Sequence, residues 1–252
     1  MWMMNHLMKL AVVAIILAAG MILSASILSK LFLRVRHEQA ITVKGYAETD
    51  ITSDVGKFSC RCNARGETLK EAYDKLQASR NATLALLKQA GVQENETAIH
   101  TIDIVKIPKR DEQGKEMNEI QYYDVSQEFM VTSTNVALIR GTAARITELI
   151  RDGVDIQVAP PMFLVSNLKD AKLKLLAQAT EDGYRRALAL AQGSKGKIGA
   201  LISAQQGVFQ ITERHSTDTS GGGEYDTSSI DKTAKAVATL EYAIEPSGAG
   251  GQ

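Results

Sequence analysis

Cysteine, histidine, tryptophan and proline are scarce in this chain: two, four, one and four copies among 252 residues. Two cysteines cannot staple a chain of this length, so a disulfide scaffold is excluded. Few cysteines and histidines also leave little raw material for a metal centre or a nucleophile. An apolar share of 44% and a charged share of 23% exclude collagen, coiled coil and wholesale disorder. What remains is a chain long enough to bury a real core, as one large domain or two small ones. Acid is missing from the first 36 positions, which carry Lys9, Lys30, Arg34 and Arg36. The chain as a whole is neutral, so the remainder holds an excess of four acidic side chains. A mildly acidic body argues against nucleic acid as a partner.

Charge is absent altogether from Leu10–Leu28, LAVVAIILAAGMILSASIL, where only Gly20, Ser24 and Ser26 are not strictly apolar. A helix of that length spans roughly 28 Å, close to the hydrocarbon thickness of a bilayer. The run is apolar all round, whereas a buried core helix shows a polar stripe. Ser24-Ala25-Ser26 resembles a signal-peptidase site, but signal peptides use about 7–15 apolar residues and this stretch is longer. A retained anchor is therefore preferred to a cleaved signal peptide, with Leu10, Val13, Ile16, Leu17, Met21, Leu23 and Leu28 facing lipid. The resulting organisation is a short tail over 1–9, a transmembrane helix over 10–29, a basic linker over 30–38 among anionic headgroups, a body over 39–246 and a disordered tail over 247–252. Lys9 on one side and Lys30, Arg34 and Arg36 on the other slightly favour a cytoplasmic body, but large domains can translocate despite such charges.

The body alternates strands with amphipathic helices. Ile41, Val43 and Gly45, then Phe58, Cys60, Cys62 and Ala64, mark two half-buried strands. Leu69, Ala72, Tyr73, Leu76, Thr83, Leu84 and Leu87 recur at helical steps and stop at Gly91. Residues 98–107 and 120–132 read as a hairpin around a charged turn. A helix is predicted over 135–152, closing at Gly153. A strand follows over 154–166, bent by Pro160-Pro161. A third helix over 168–192 is predicted to bury Leu173, Leu176, Ala177, Tyr184, Leu188 and Ala191. Strands over 199–212 and 233–245 flank a polar loop, 215–231, expected to be mobile at its tip.

The residues that carry chemistry offer little. Cys60 and Cys62 point to the same face of a strand beside Phe58, where cysteine behaves as a small hydrophobe, and no further Cys or His completes a metal set. Gly193-Ser194-Lys195-Gly196-Lys197 imitates a phosphate loop, but it follows its helix rather than preceding one, as a glycine turn with lysines at the helix end does. His6, His37, His100 and His215 are scattered and lie in no catalytic motif. Asn81-Ala82-Thr83 and Asn95-Glu96-Thr97 are glycosylation sequons, relevant only in a eukaryotic secretory pathway. No cofactor and no metal are expected.

Several segments together resemble the SIMPL-domain family, in the subgroup with an N-terminal membrane anchor. Val43-Lys44-Gly45 with Glu48 and Asp54 looks like that subgroup's opening signature. Tyr123, Val125, Gln127, Val131 and Val136 follow the spacing of its middle strand and helix start. Lys172 and Thr180 match its long-helix motif, Gln206-Gly207 and Phe209 the strand after it, and Glu241-Tyr242 its closing strand. Leu173, Tyr46 and Gly193-Ser194-Lys195-Gly196 depart from the pattern locally. The resemblance implies an α+β fold, a body of antiparallel strands packed with two or three long helices behind one transmembrane helix. It also implies bacterial origin, a body outside the cytoplasmic membrane, homo-oligomers in some relatives, and association with oxidative or envelope stress. It supplies no catalytic residue. The expectation is thus a non-enzymatic, membrane-anchored envelope protein that self-assembles; the alternative is a binding module that captures a small ligand or partner protein through a sheet face or the 215–231 loop.

Overall fold

The computed structural model describes residues 20–25, 40–216 and 223–246. Among the described residues from Ala40 on, nine strands and three α-helices follow one another: β1 (Ala40–Thr52), β2 (Val55–Gly66), α1 (Leu69–Ala90), β3 (Thr97–Arg110), β4 (Glu116–Ser133), α2 (Val136–Arg145), β5 (Asp155–Val158), β6 (Met162–Leu164), α3 (Leu168–Gly193), β7 (Gly196–Gln206), β8 (Gln210–Glu213) and β9 (Asp231–Pro246). The mixed α+β architecture with antiparallel pairing is the one expected. Residues 20–25 are helical, with Met21, Ile22 and Leu23 exposed. The rest of the predicted anchor, the 1–9 tail, the 30–38 linker and the 247–252 tail lie outside the described residues. Among those that are described, no helix is long and apolar enough to cross a membrane.

The chain divides into two compact units. One comprises residues 47–177 and 208–236 and holds a five-stranded sheet of order β3-β4-β2-β5, with β6 also pairing β2. All of its ladders are antiparallel, with Phe58 opposite Val131 and Cys60 opposite Phe129. Alternation along β2 turns Gly56, Phe58, Cys60 and Cys62 inward. Helix α1 starts at Thr68, whose hydroxyl accepts from the Glu71 amide, and stops at Gly91 in the left-handed region at φ 97°. It buries Ala72, Leu76, Thr83 and Leu87 in a core with Phe129, Ile139, Ile146 and Phe163. Leu69 and Tyr73, predicted to be inward, are exposed. The β3–β4 hairpin outruns its sheet, since β4 pairs with β2 only as far as Tyr123 while its pairing with β3 continues to Glu116.

The other unit contains residues 20–25, 40–46, 178–207 and 237–246 among those described. Here β7 pairs antiparallel with β9, and α3 meets strand backbone directly. A Cβ on Gly45 would lie 1.9 Å from the Ala179 carbonyl oxygen and 2.5 Å from the Gly183 nitrogen. Only glycine permits that approach. Asp182 Oδ2 accepts from the Tyr46 amide at 2.9 Å and from Arg186 Nε at 2.7 Å, fixing the same crossing.

Four further sequence expectations are corrected. The predicted strand over 154–166 is two strands, because Pro160 and Pro161 have no N–H for a ladder. The strand over 199–212 is likewise two, broken where the Gly207 amide donates to the Val237 carbonyl at 2.8 Å and Phe209 turns into the interior. The helix over 135–152 ends at Arg145 and continues as a 3-10 turn over Ile146–Ile150, whose Ile146 and Leu149, three apart, are both buried. Finally, α3 buries Leu175, Ala179, Gly183, Ala187 and Ala191, a stripe of every fourth residue, while Leu173 is 61% exposed and Tyr184 is also exposed. The small residues face inward because the backbone approach at Gly45 leaves no room for larger ones.

Candidate functional site

The residues singled out from the sequence fall into two groups. Val43, Lys44, Gly45, Thr180, Gln206, Gly207, Glu241 and Tyr242 belong to the unit built on α3 and β7. Val43 and Tyr242 are buried, Lys44 and Gln206 exposed, Thr180 and Glu241 half-buried. Tyr242 meets Tyr184 edge-on with centroids 5.9 Å apart, and burial, then Tyr184 and Glu181, push its phenol above the usual range. These contacts pack the unit and expose no reactive grouping.

Glu48, Asp54, Lys172 and Phe209 belong to the other unit, where Lys172 and Phe209 converge on the segment 223–232 through Tyr225. That segment is fastened to three neighbours through its backbone. Ile211 donates to Glu224 and accepts from Asp226, Phe163 donates to Thr227, and Ser53 donates to Ile230. Of the loop over 215–231 that was expected to have a mobile tip, residues 217–222 lie outside the described residues and 223–231 are held in place.

Side chains complete the fastening. Lys172 Nζ bonds Tyr225 Oη at 2.7 Å and stands 5.0 and 5.2 Å from the Phe209 and Tyr225 ring centroids, a two-ring seat for a cation. Asp226 folds the next turn, accepting from the Ser228 amide at 2.8 Å, from the Ser228 hydroxyl at 2.7 Å and from the Ser229 hydroxyl. Beneath it, Lys232 is 1% exposed; its Nζ donates to the Asp226 carbonyl and lies 3.5 Å from Asp226 Oδ2. Burial opposes ionisation of Asp226, yet the serine hydrogen bonds and the Lys232 charge prevail and hold its carboxyl well below the usual range. Burial lowers Lys232 from its ordinary value, with Asp226 pulling the other way. Nearby, Asp50 accepts from Arg214 and from the Thr233 hydroxyl, and Asp54 accepts from the Ser166 amide and hydroxyl; hydrogen bonds from Arg214 and Ser166 lower the two carboxyls.

Chemically, this arrangement satisfies itself. Each charged group at the centre has a partner inside the network, which holds a loop in place. Cys60 and Cys62 are both buried. Burial pushes the Cys60 thiol up to about 12 and raises Cys62 as well, with Cys62 Sγ 3.2 Å from Thr83 Oγ1. Among the described residues no three His, Cys, Asp or Glu side chains group as metal ligands.

Sequence reasoning selected Lys172 and Phe209 but missed Tyr225, Asp226 and Lys232. The Asp226–Ser228–Ser229 spacing is a legible turn signal, and Lys232 interrupts an alanine-rich inward face. Only the fold shows that they meet.

Residues 41–247 match the SIMPL family, described as a protein of unknown function (DUF541). The chain belongs to the SIMPL family. The match covers both groups of signature residues, so the close approach at Gly45 and the Lys172–Phe209–Tyr225 contact both lie inside the SIMPL region. No curated protein matches. Among solved structures, the de novo designed protein Foldit4 is similar at 13% identity, covering 41% of this SIMPL chain and 93% of its own, with a TM-score of 0.24. A protein from methicillin resistant Staphylococcus aureus described as an aminohydrolase is similar at 13% identity over 56% of this chain and 39% of its own, with a TM-score of 0.25. Likenesses of that size carry no argument about activity.

Proposed function

We propose that this SIMPL protein is a non-enzymatic envelope protein of the anchored subgroup, held at the bacterial cytoplasmic membrane by Leu10–Leu28 with its body on the outer side, and that the body self-associates. The observation that carries the reading is the uncharged nineteen-residue run between Lys9 and Lys30. Self-association is supported by apolar side chains left exposed on strands at sheet edges, Ile99, Ile104 and Val105 on β3 and Leu201 and Ile202 on β7. Such edges pair readily with other chains. Each further anchor in an assembly also engages the bilayer at high effective concentration, so oligomerisation strengthens membrane attachment. Membrane lipid and further copies of the chain are the partners; the acidic body disfavours nucleic acid.

The test is the mass of the full-length protein in mild detergent, by light scattering across a concentration series. A discrete multiple of the chain mass supports the reading. A single-chain mass at every concentration overturns self-association and favours a binding module using a sheet face or the 215–231 loop. Intact mass of the membrane-extracted chain separates a retained anchor from cleavage near Ser26 and release to the periplasm.

A further inference from the structure

The β3–β4 hairpin beyond the sheet is an arm in search of a surface. From Tyr123 to its turn it pairs only with itself, and two-stranded ribbons of that kind are marginal in water without packing. Met117, at its tip, is nevertheless 45% exposed, and where the arm leaves the sheet Ile104 and Val105 are exposed at 47% each. At the base of the same strand lies a cavity of about 490 Å³, walled by Leu84, Leu87, Val92 and Ile99, with exposed Lys88 and Glu94 among its lining residues. Cavities of about 300–1,000 Å³ are the size that take a ligand or an inserted side chain.

We infer that the arm tip of one copy seats Met117 in the α1–β3 cavity of a second copy. The inference rests on the self-association proposed above and names its contact. Two observations select a second copy as the occupant. Reach is the first. Ile99 lines the cavity, and Arg110, eleven residues along the same strand, pairs with Glu116 beside Met117. That separates tip and cavity by roughly 36 Å within one chain, so the arm cannot fill its own cavity. Charge is the second. Met117 and Glu119, two apart on β4, share one face, presenting an apolar group and an acid to a cavity that offers an apolar wall and Lys88. Glu119 is bridged to Lys109 at 2.7 Å, but that pair is exposed on both sides and exchanges at little cost. Because tip and cavity are different patches, the contact closes as a reciprocal pair or continues head to tail into a ring.

The experiment uses the full-length chain in mild detergent. Met117→Asp, at an exposed position, is expected to weaken assembly at least about tenfold, as loss of a central apolar anchor does. Lys88→Glu is expected to weaken it too, and adding Glu119→Lys to restore it. Mixing a Met117→Cys chain with an Ala85→Cys chain is expected to give an oxidised heterodimer that neither forms alone. An assembled wild type unchanged by Met117→Asp, with no mixed disulfide, overturns this contact and leaves self-association standing. A wild type that stays a single chain overturns both.

Discussion

The two units pack helix against strand with side chains of opposite size, and the difference predicts how each fails. In the unit around β2, Leu76 of α1 is buried in the same core as Phe58, Phe129, Ile139 and Ile146, a cluster of large side chains. In the unit around α3, the inward stripe is Ala179, Gly183, Ala187 and Ala191, and strand backbone at Gly45 comes within van der Waals reach of helix backbone. A core of large side chains tolerates truncation at a graded cost, because the cavity left behind partly collapses. A backbone contact tolerates no addition, because nothing at the contact can rotate away.

Gly45→Val is therefore expected to have the largest effect. Its Cβ would fall on the Ala179 carbonyl, 1.9 Å away, with no movable side chain to yield. The expected cost exceeds about 4 kcal/mol, beyond ordinary overpacking, and near-ultraviolet circular dichroism should lose the signal of the Tyr184–Tyr242 pair. Gly183→Ala sharpens the point, since its new Cβ meets Leu240 Cδ1, the end of a flexible chain, at 2.6 Å and the Gly45 backbone only at 3.3 Å. A cost of about 1–3 kcal/mol is expected there. Equal losses for the two variants, measured by urea unfolding, would contradict the backbone account.

Leu76→Ala comes next. Leu76 has no exposed surface in the core of the other unit, so truncation should cost about 2–5 kcal/mol in urea unfolding. The loss should be partly recovered by Leu76→Met, which keeps most of the volume.

Asp226 gives a smaller, pH-dependent effect. Its carboxyl titrates lower in the folded state than in the unfolded chain. The unfolded chain therefore binds the proton first as pH falls, and the stabilisation, complete above about pH 5, is lost progressively below it. Asp226→Asn should flatten the acid branch of the stability curve while lowering the plateau at neutral pH, where Lys232 is left without its carboxylate. A wild-type acid branch no steeper than the variant's would exclude a role for Asp226 in acid sensitivity.

How far the sequence carried the fold follows from the same contrast. Period and caps are local, so β1, β2, α1 with its Gly91 stop, and the β3–β4 hairpin were all legible. Breaks that depend on a distant partner were not: the interruption at Gly207 answers to Val237, and the 3-10 ending of α2 serves to bury Ile146 and Leu149. The inward face of α3 was misread because hydrophobicity selects leucine and tyrosine, whereas the strand at Gly45 selects for size. Of the candidate site, Lys172 and Phe209 could be chosen from the family signature, but Tyr225 and Lys232 acquire meaning only when the 223–232 segment crosses β8, β6 and the β1–β2 turn.

The last prediction asks whether the two packings stand independently. Cys60 and Cys62 report on the core of large side chains, since every fully buried member of that cluster lies between Phe58 and Phe163. Their thiols are held high by burial, Cys60 at about 12, so labelling near neutral pH requires that core to open. In Gly45→Val the expected change in labelling rate is the smallest considered: none beyond about twofold, because no residue of that core comes from 40–46, 178–207 or 237–246. Leu76→Ala, by contrast, should speed labelling about thirtyfold or more, in proportion to the stability it removes. If Gly45→Val exposes the thiols as fast as Leu76→Ala does, the backbone contact at Gly45 and the Phe58–Phe129 core unfold as one cooperative body, and size complementarity in one unit is a condition for the other.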